Sequence, residues 1–367
     1  MSTYYTTIGA DVSDKTTKIC IMTKVSGIPK IVRETTIPTT PDGFRVFLEG
    51  QDKSAPLVFE TGTHCRWIDK VGTDMGFKTF VANPCRLRMI TESMTKNDKN
   101  DARTLARIAL ADVELLHPVK LRDDEHQKML NLHEIRDQLI KERTAEIQQI
   151  RNIAKSMGFR IPDCQAEYFH NFDRKPWPKD LNDIVWPLMK SLKNKAVTIK
   201  TVEKQMKRVA KADVFKVQVD RLMEIPNIGF LTATCFIAVT GGNMDKFNKP
   251  RDIGPWLGVS PRQDQSGNVD RQCHITKAGS SILRWKLSEC AQRMLQDRSQ
   301  DTDFKLKGLR ICARGGKIAK RKAVIAVARG LAVLMVAMLK KPNVEYVPIS
   351  QAHKEELMAL RAAMSAA

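Results

Sequence analysis

Hydrophobic positions in the first 110 residues fall into short runs of period two, and further on into long stretches of period near 3.6. "YYTTIGADV" (4–12), "TKICIMT" (17–23) and "PKIVRETTI" (29–37) read as three β-strands. Asp14 and Lys15 suit the first connecting turn and Gly27 the second. "TPDGFRVFLEGQ" (40–51) predicts a helix opened by Thr40 and Pro41. "APLVFE" (55–60) predicts a short apolar strand, 64–76 a helix and "FKTFVA" (77–82) another strand, with a further helix from about Lys99. An antiparallel meander followed by crossovers implies a mixed sheet with helices packed on it.

From about residue 120 the pattern changes. Residues 123–157 contain no Pro or Gly, and Leu132, Ile135, Leu139, Ile147, Ile150, Ala154 and Met157 trace an apolar seam partly in heptad register. Residues 159–182, with Pro162 and Trp177, read as an irregular insertion, and a second charged helix runs from roughly 183 to 212. A helical hairpin and an intermolecular coiled coil both fit this pair. The segment 216–345 reads as helices separated by turns, with Pro226 and Gly229 in a tight turn between two of them. Such a turn either grips a DNA phosphate with its amides or is purely structural. "AVIAVARGLAVLMVAML" (323–339) is short for a membrane span and holds Arg329 and Gly330, so it reads as a buried core helix. The tail after 346 reads as weakly ordered.

Charge narrows the function. The 367-residue chain has 61 Lys+Arg against 41 Asp+Glu, a net charge of +20, which is the footprint of a polyanion-binding protein, most simply one that binds nucleic acid. Its start lacks the basic and apolar regions of a secretory signal, and its eight cysteines form no C-x-x-C pair, so reduced thiols in the cytoplasm are expected. Cys273 and His274 lack further ligands at metal spacing. "FKLKGLRICARGGKIAKRK" (304–322) has eight basic residues and no acid. Arg314, Lys317, Lys320, Arg321 and Lys322 in it are candidate phosphate contacts. "ARGGKIAK" is not a P-loop, since the glycine spacing and the Ser/Thr after Lys are missing.

The candidate chemistry lies in four acids. In "MTKNDKNDARTLARI" (94–108), Asp98 and Asp101 are three apart and so share a helix face, among Lys96, Lys99 and Arg103 as further candidate nucleic-acid contacts. Taken alone, they fit a capped, solvated helix start as well as half of a metal site. Asp11 closes the first strand and Glu60 the fourth. If those strands are neighbours, both carboxylates emerge at one sheet edge. Oxygen ligands of this kind suit Mg²⁺ (or Mn²⁺), and two such ions stabilise the attacking and leaving oxygens of phosphoryl transfer.

These residues also resemble a known family. "IGADVSDKTTKICI", "FETGTHC" and "KNDKNDARTLARI" are similar to the RuvC-like, RNase H-fold domain of DEDD insertion-sequence transposases, a group that includes Piv-type invertases and bridge-RNA-guided recombinases. "IPNIG", "WLGVSPRQDQSG" and "ITKAGSSILRWKL" resemble the family's C-terminal transposase domain in order and spacing. The likeness covers about residues 5–115 and 220–340. It implies that Asp11, Glu60, Asp98 and Asp101 are the catalytic, metal-binding acids and that Ser266 is a nucleophile forming a covalent phosphoserine with DNA. Arg262, Lys277 and Arg284, within the matching motifs, are added as nucleic-acid contacts. The family further implies donor and target DNA as substrates, a structured guide (bridge) RNA, and a homo-oligomer that is a dimer of dimers. A bacterial, nucleoid-associated location in the cytoplasm follows from that role.

The expected fold is α/β plus all-α, in four parts. Residues 1–118 form a RuvC-like domain and 119–215 a long-helix region with the insertion 159–182. Residues 216–345 form a helical, serine-bearing domain, and 346–367 a tail. Three rivals differ in what they need. A Holliday-junction-resolvase-like metal nuclease needs the acids but no serine and leaves the C-terminal half unexplained. A sugar-kinase or actin-like ATPase needs a second Gly-rich phosphate segment, which is missing. In a non-catalytic DNA-binding regulator the acids would be structural.

Overall fold

The computed structural model describes residues 4–84, 87, 98–266 and 269–365. The chain divides into two compact units, one up to Leu121 and one from Arg122 onward.

The first unit is built on one sheet. β1 (Thr6–Val12), β2 (Thr16–Val25) and β3 (Ile28–Pro38) form the meander, then α1 (Pro41–Glu49), β4 (Leu57–Glu60), α2 (Cys65–Asp74) and β5 (Thr79–Ala82) follow, and α3 spans Asp98–Ala111. The strand order is β3-β2-β1-β4-β5. β1 pairs antiparallel with β2 and parallel with β4, which pairs parallel with β5. The strict alternation of the strands explains why both faces are covered. Ile8, Ala10, Ile19, Ile21, Leu57 and Phe59 pack with Phe44 of α1 and Ile68 of α2 on one face. Cys20 and Met22 pack with Ala102, Ala106 and Leu110 of α3 on the other, and Val58 packs there with Leu105. Thr40 caps α1 by accepting from the Gly43 amide at 3.1 Å, and Pro41 takes its first position. All of these elements match the sequence reading to within a few residues.

The second unit begins with two long helices, α4 (Asp124–Ser156) and α5 (Lys179–Val209). Arg136 pairs with Glu203 at 2.8 Å and Lys195 with Glu146 at 2.7 Å, so the helices run antiparallel as a hairpin within the chain. The insertion closes the hairpin's tip, where Ile161, Phe169 and Trp177 are buried against Ile150, Ala154, Val185 and Met189. Ile135 and Met157 of the expected seam remain exposed.

At its other end the hairpin shares a core with the C-terminal helices. These are α6 (Asp213–Met223), α7 (Phe230–Thr240), α8 (Ile253–Leu257), α9 (Ser281–Met294), α10 (Asp303–Cys312) and α11 (Gly316–Lys340). Met129, Leu130 and Met206 from the hairpin join Phe236, Leu287, Val327 and Leu331 in it. α11 is long and apolar enough to cross a membrane. Here Ala323, Val327, Ala328, Leu331, Ala332 and Met335 are fully buried in that protein core.

Three expectations need correction. The segment 216–345 also holds a two-stranded antiparallel sheet, β6 (Pro261–Ser266) and β7 (Val269–Ile275). The tail forms α12 (Gln351–Ser365), with Leu357 buried beside Leu306 and Leu309, Arg361 paired with Asp301 at 2.6 Å, and Glu356 with Arg310. Lys305, within the basic run, is fully buried: its Nζ donates to the carbonyls of Asp297 at 3.0 Å and Ser299 at 2.8 Å and lies 3.5 Å from Asp301. An ammonium buried this way must keep such partners, so it belongs to the fold and not to a phosphate surface.

Candidate functional site

The sheet's register gathers the acidic positions. Ala10 of β1 stands opposite Phe59 of β4, so one further step sets Asp11 beside Glu60 at the carboxyl ends of two adjacent parallel strands. Side chains alternate along a strand. Since Ala10 and Phe59 face α1 and α2, Asp11 and Glu60 face α3. Both are half-buried.

α3 reaches the same edge with its first turn. Thr7 Oγ1 donates to the Ala106 carbonyl at 2.8 Å, and a Cβ placed on Gly9 would lie 2.2 Å from the Ala102 carbonyl oxygen. Only glycine allows the helix this close. Two residues along β1 therefore match four residues back along α3, as strand and helix rises of roughly 3.3 and 1.5 Å require. Another such step brings Asp11 level with Asp98, in the turn that also holds Asp101. The side chain of Asp98 lies outside the described residues, and Asp101 is half-buried. Among the described residues no three His, Cys, Asp or Glu side chains converge to hold a metal. The case for a site is thus the shared edge and shared face. In open α/β sheets this carboxyl edge is where ligands bind. The donor set is all carboxylate oxygen, the chemistry that fits a hard divalent cation.

Ser266 is the last residue of β6 and pairs with Val269, the first of β7; its side chain, Gly267 and Asn268 lie outside the described residues. The base of this hairpin is gripped tightly. The Thr276 amide donates to the Ser260 carbonyl at 3.1 Å and that of Lys277 to the Gly258 carbonyl at 3.0 Å. A Cβ on Gly258 (φ 73°) would lie 2.3 Å from the Ala278 nitrogen, and one on Gly279 2.4 Å from the Trp256 carbonyl oxygen. The two glycines therefore let the segments around 257 and 278 touch backbone to backbone. Six residues of strand then carry Ser266 away from that clamp, roughly 17 Å at 3.4 Å per residue.

The basic candidates divide. Arg262, Lys277, Arg314, Lys317, Lys320, Arg321 and Lys322 are exposed. Arg103 instead holds Glu34 of β3 with both arms of its guanidinium, at 2.6 and 2.8 Å. Arg284 donates to the carbonyls of Leu257, at 3.0 Å, and Gly279, bracing the hairpin clamp, and burial lowers its pKa. Both guanidiniums are thus tied into the fold. Lys96 lies outside the described residues, as does the side chain of Lys99. Near the acids the sequence reading passed over His64, whose ring accepts from Trp67 and faces Asp14. The H-x-x-W spacing at a helix start was the available signal.

A mixed sheet with carboxylates at its carboxyl edge, in a chain of +20 charge, suits an enzyme that acts on nucleic acid. Comparison with known proteins makes this specific. Residues 8–158 match the family model of DEDD-type IS110 transposases, described as "Transposase", and residues 219–305 match "Transposase IS116/IS110/IS902 family". The transposase for insertion sequence element IS1111A of Coxiella burnetii is 28% identical over 274 residues, 73% of this chain and 72% of that one. A "Probable family 20 transposase" of Pseudomonas aeruginosa is 26% identical over 242 residues, 64% and 69% of the two chains. These matches are all to insertion-sequence transposases of the IS110/IS116 kind, and they support an enzyme acting on DNA.

Proposed function

We propose that this transposase cuts and rejoins DNA through a covalent seryl-phosphodiester on Ser266, beside a divalent-cation site made by Asp11, Glu60, Asp98 and Asp101. The observation that supports it most is the arrival of Asp11, Glu60 and the first turn of α3 at one edge and on one face of the sheet. A bound Mg²⁺ or Mn²⁺ would supply charge stabilisation for the oxygens around phosphorus. The four carboxylates would hold the ion and orient it. Ser266 Oγ displaces a deoxyribose oxygen from the scissile phosphate, and the resulting ester keeps the bond energy until a second strand's hydroxyl reverses the step. Rejoining then needs no nucleotide cofactor. A serine placed at the end of a long, clamped hairpin suits delivery to a phosphate held elsewhere.

In this reading the exposed cations of 314–322 bind phosphate. Lys317 stands in the first turn of α11, where the helix dipole favours anions, so its charge there is unfavourable by about 0.3–1 kcal/mol until one arrives, and Lys320, Arg321 and Lys322 follow in the next turn. Such a surface, with the +20 net charge, supports donor and target DNA together with a structured guide RNA as partners. A dimer of dimers would let serine and carboxylates from different protomers meet. The role sets the enzyme beside the bacterial nucleoid in the cytoplasm.

Two outcomes are expected. Strand cleavage of DNA carrying the element's ends should occur with Mg²⁺ or Mn²⁺ and stop in EDTA; undiminished cleavage in EDTA contradicts the carboxylate-site reading. Binding measured against salt should have a slope of about −0.9 per neutralised phosphate on duplex DNA. Replacing Lys320, Arg321 and Lys322 by alanine should flatten it by up to about three phosphates' worth, and an unchanged slope would show that these side chains only face solvent.

A further inference from the structure

The carboxyl edge of the sheet bears one more chemically competent side chain. His64 lies four residues beyond Glu60, at the N-cap of α2, and its ring makes no capping hydrogen bond. Trp67 Nε1 donates to His64 Nδ1 at 3.1 Å. An indole N–H can only donate, so Nδ1 must accept and the ring proton of neutral His64 sits on Nε2. Trp67 is itself fixed, meeting the fully buried Phe44 edge to face at 5.4 Å and 90°. The core thus sets both the tautomer and the direction of the ring.

An anion lies just beyond hydrogen-bond reach of the proton-bearing Nε2. Nε2 stands 3.6 Å from Asp14 Oδ1, in the turn just past Asp11 and β1, and the Asp14 side chain is 91% exposed. A contact of this length to a solvated carboxylate is weak, and a phosphodiester oxygen presents the same kind of acceptor. α2 packs on the face of the sheet opposite α3. His64 therefore reaches the edge from the side away from the carboxylates.

We propose that His64 Nε2–H is a substrate-contacting donor that hydrogen-bonds a non-bridging oxygen of the scissile phosphodiester and displaces Asp14 when DNA binds. The inference rests on the cleavage site lying at this edge. Its chemistry is electrostatic: a preorganised donor on a phosphate oxygen helps most where charge builds up as the bond to the leaving oxygen breaks.

The test compares single-turnover cleavage at saturating DNA for the full-length protein, with Asp11→Ala as control and thermal unfolding to verify folding. His64→Ala should slow cleavage by about 10²–10³-fold, as expected for loss of one such donor, with DNA affinity unchanged within a few-fold. His64→Gln, whose amide nitrogen can occupy the Nε2 position, should recover at least tenfold of that loss, whereas His64→Asn, which mimics Nδ1, should not. Trp67→Phe keeps the packing but frees the tautomer, and should cost about two- to tenfold, the worth of one hydrogen bond. Asp14→Asn removes the competing negative charge and should cleave at least as fast as the parent. The proposal is overturned if His64→Ala cleaves at the parental rate while Asp11→Ala is inactive, if folded His64→Gln is as slow as His64→Ala, or if Asp14→Asn is as slow as His64→Ala. An active Asp11→Ala would sink the underlying edge reading instead.

Discussion

Asp11→Ala is expected to abolish strand cleavage, by about 10⁴-fold or more, while the protein still folds and binds DNA. Groups that act as one catalytic set lose nearly all of its effect when one member is removed. Asp11 is central to the arrangement: β1 is the middle strand, flanked by β2 and β4, and Gly9 two residues earlier brings α3 against it. Asp11 is half-buried at a strand end and not in the core, so the fold should tolerate the change. Glu60→Ala and Asp101→Ala should behave alike; at Asp98 a water could stand in, and the loss there should be smaller. Cleavage by Asp11→Ala at the parental rate in Mg²⁺ would reject the carboxylate site.

Ser266→Ala should bind DNA and assemble normally yet give no protein-linked DNA and no recombinant product. A serine hydroxyl is a poor nucleophile unless activated, so a surface serine without a role would tolerate alanine. Ser280 provides that comparison, because its Oγ accepts from the Leu283 amide at 3.4 Å as the cap of α9. Ser280→Ala should cost about 1 kcal/mol of stability and leave adduct formation intact. Recombination by Ser266→Ala at the parental level would show that the hairpin positions DNA without attacking it.

Much of the first unit was legible because its strands bury both faces. Alternation along "TKICIMT" sends Ile19 and Ile21 one way and Cys20 and Met22 the other, and Thr40-Pro41 announces a helix start. The strand-end acids followed from that order, since neighbouring parallel strands end together. The β6–β7 hairpin escaped notice because "PRQDQSGNVDRQCHI" has almost no apolar residue to show a period of two. α12 was missed for a different reason: its anchors, Asp301 and Arg310, lie 60 and 46 residues away in sequence from Arg361 and Glu356. Charge alone could not sort Lys305, Arg103 and Arg284, tied into the fold, from exposed Lys320 and Arg321, because that distinction is made by tertiary partners. His64 was hidden as a lone histidine, and only the bond from Trp67 gives its ring a direction.

The most direct test of a seryl-phosphodiester mechanism is to quench the reaction in denaturant, digest the DNA-linked protein and map the modified residue by mass spectrometry. A nucleotide remnant on the peptide containing Ser266, present in the parental protein and lost in both Ser266→Ala and Asp11→Ala, is the predicted result. Efficient cleavage with no linked protein, or a remnant mapped to any other residue, would contradict it.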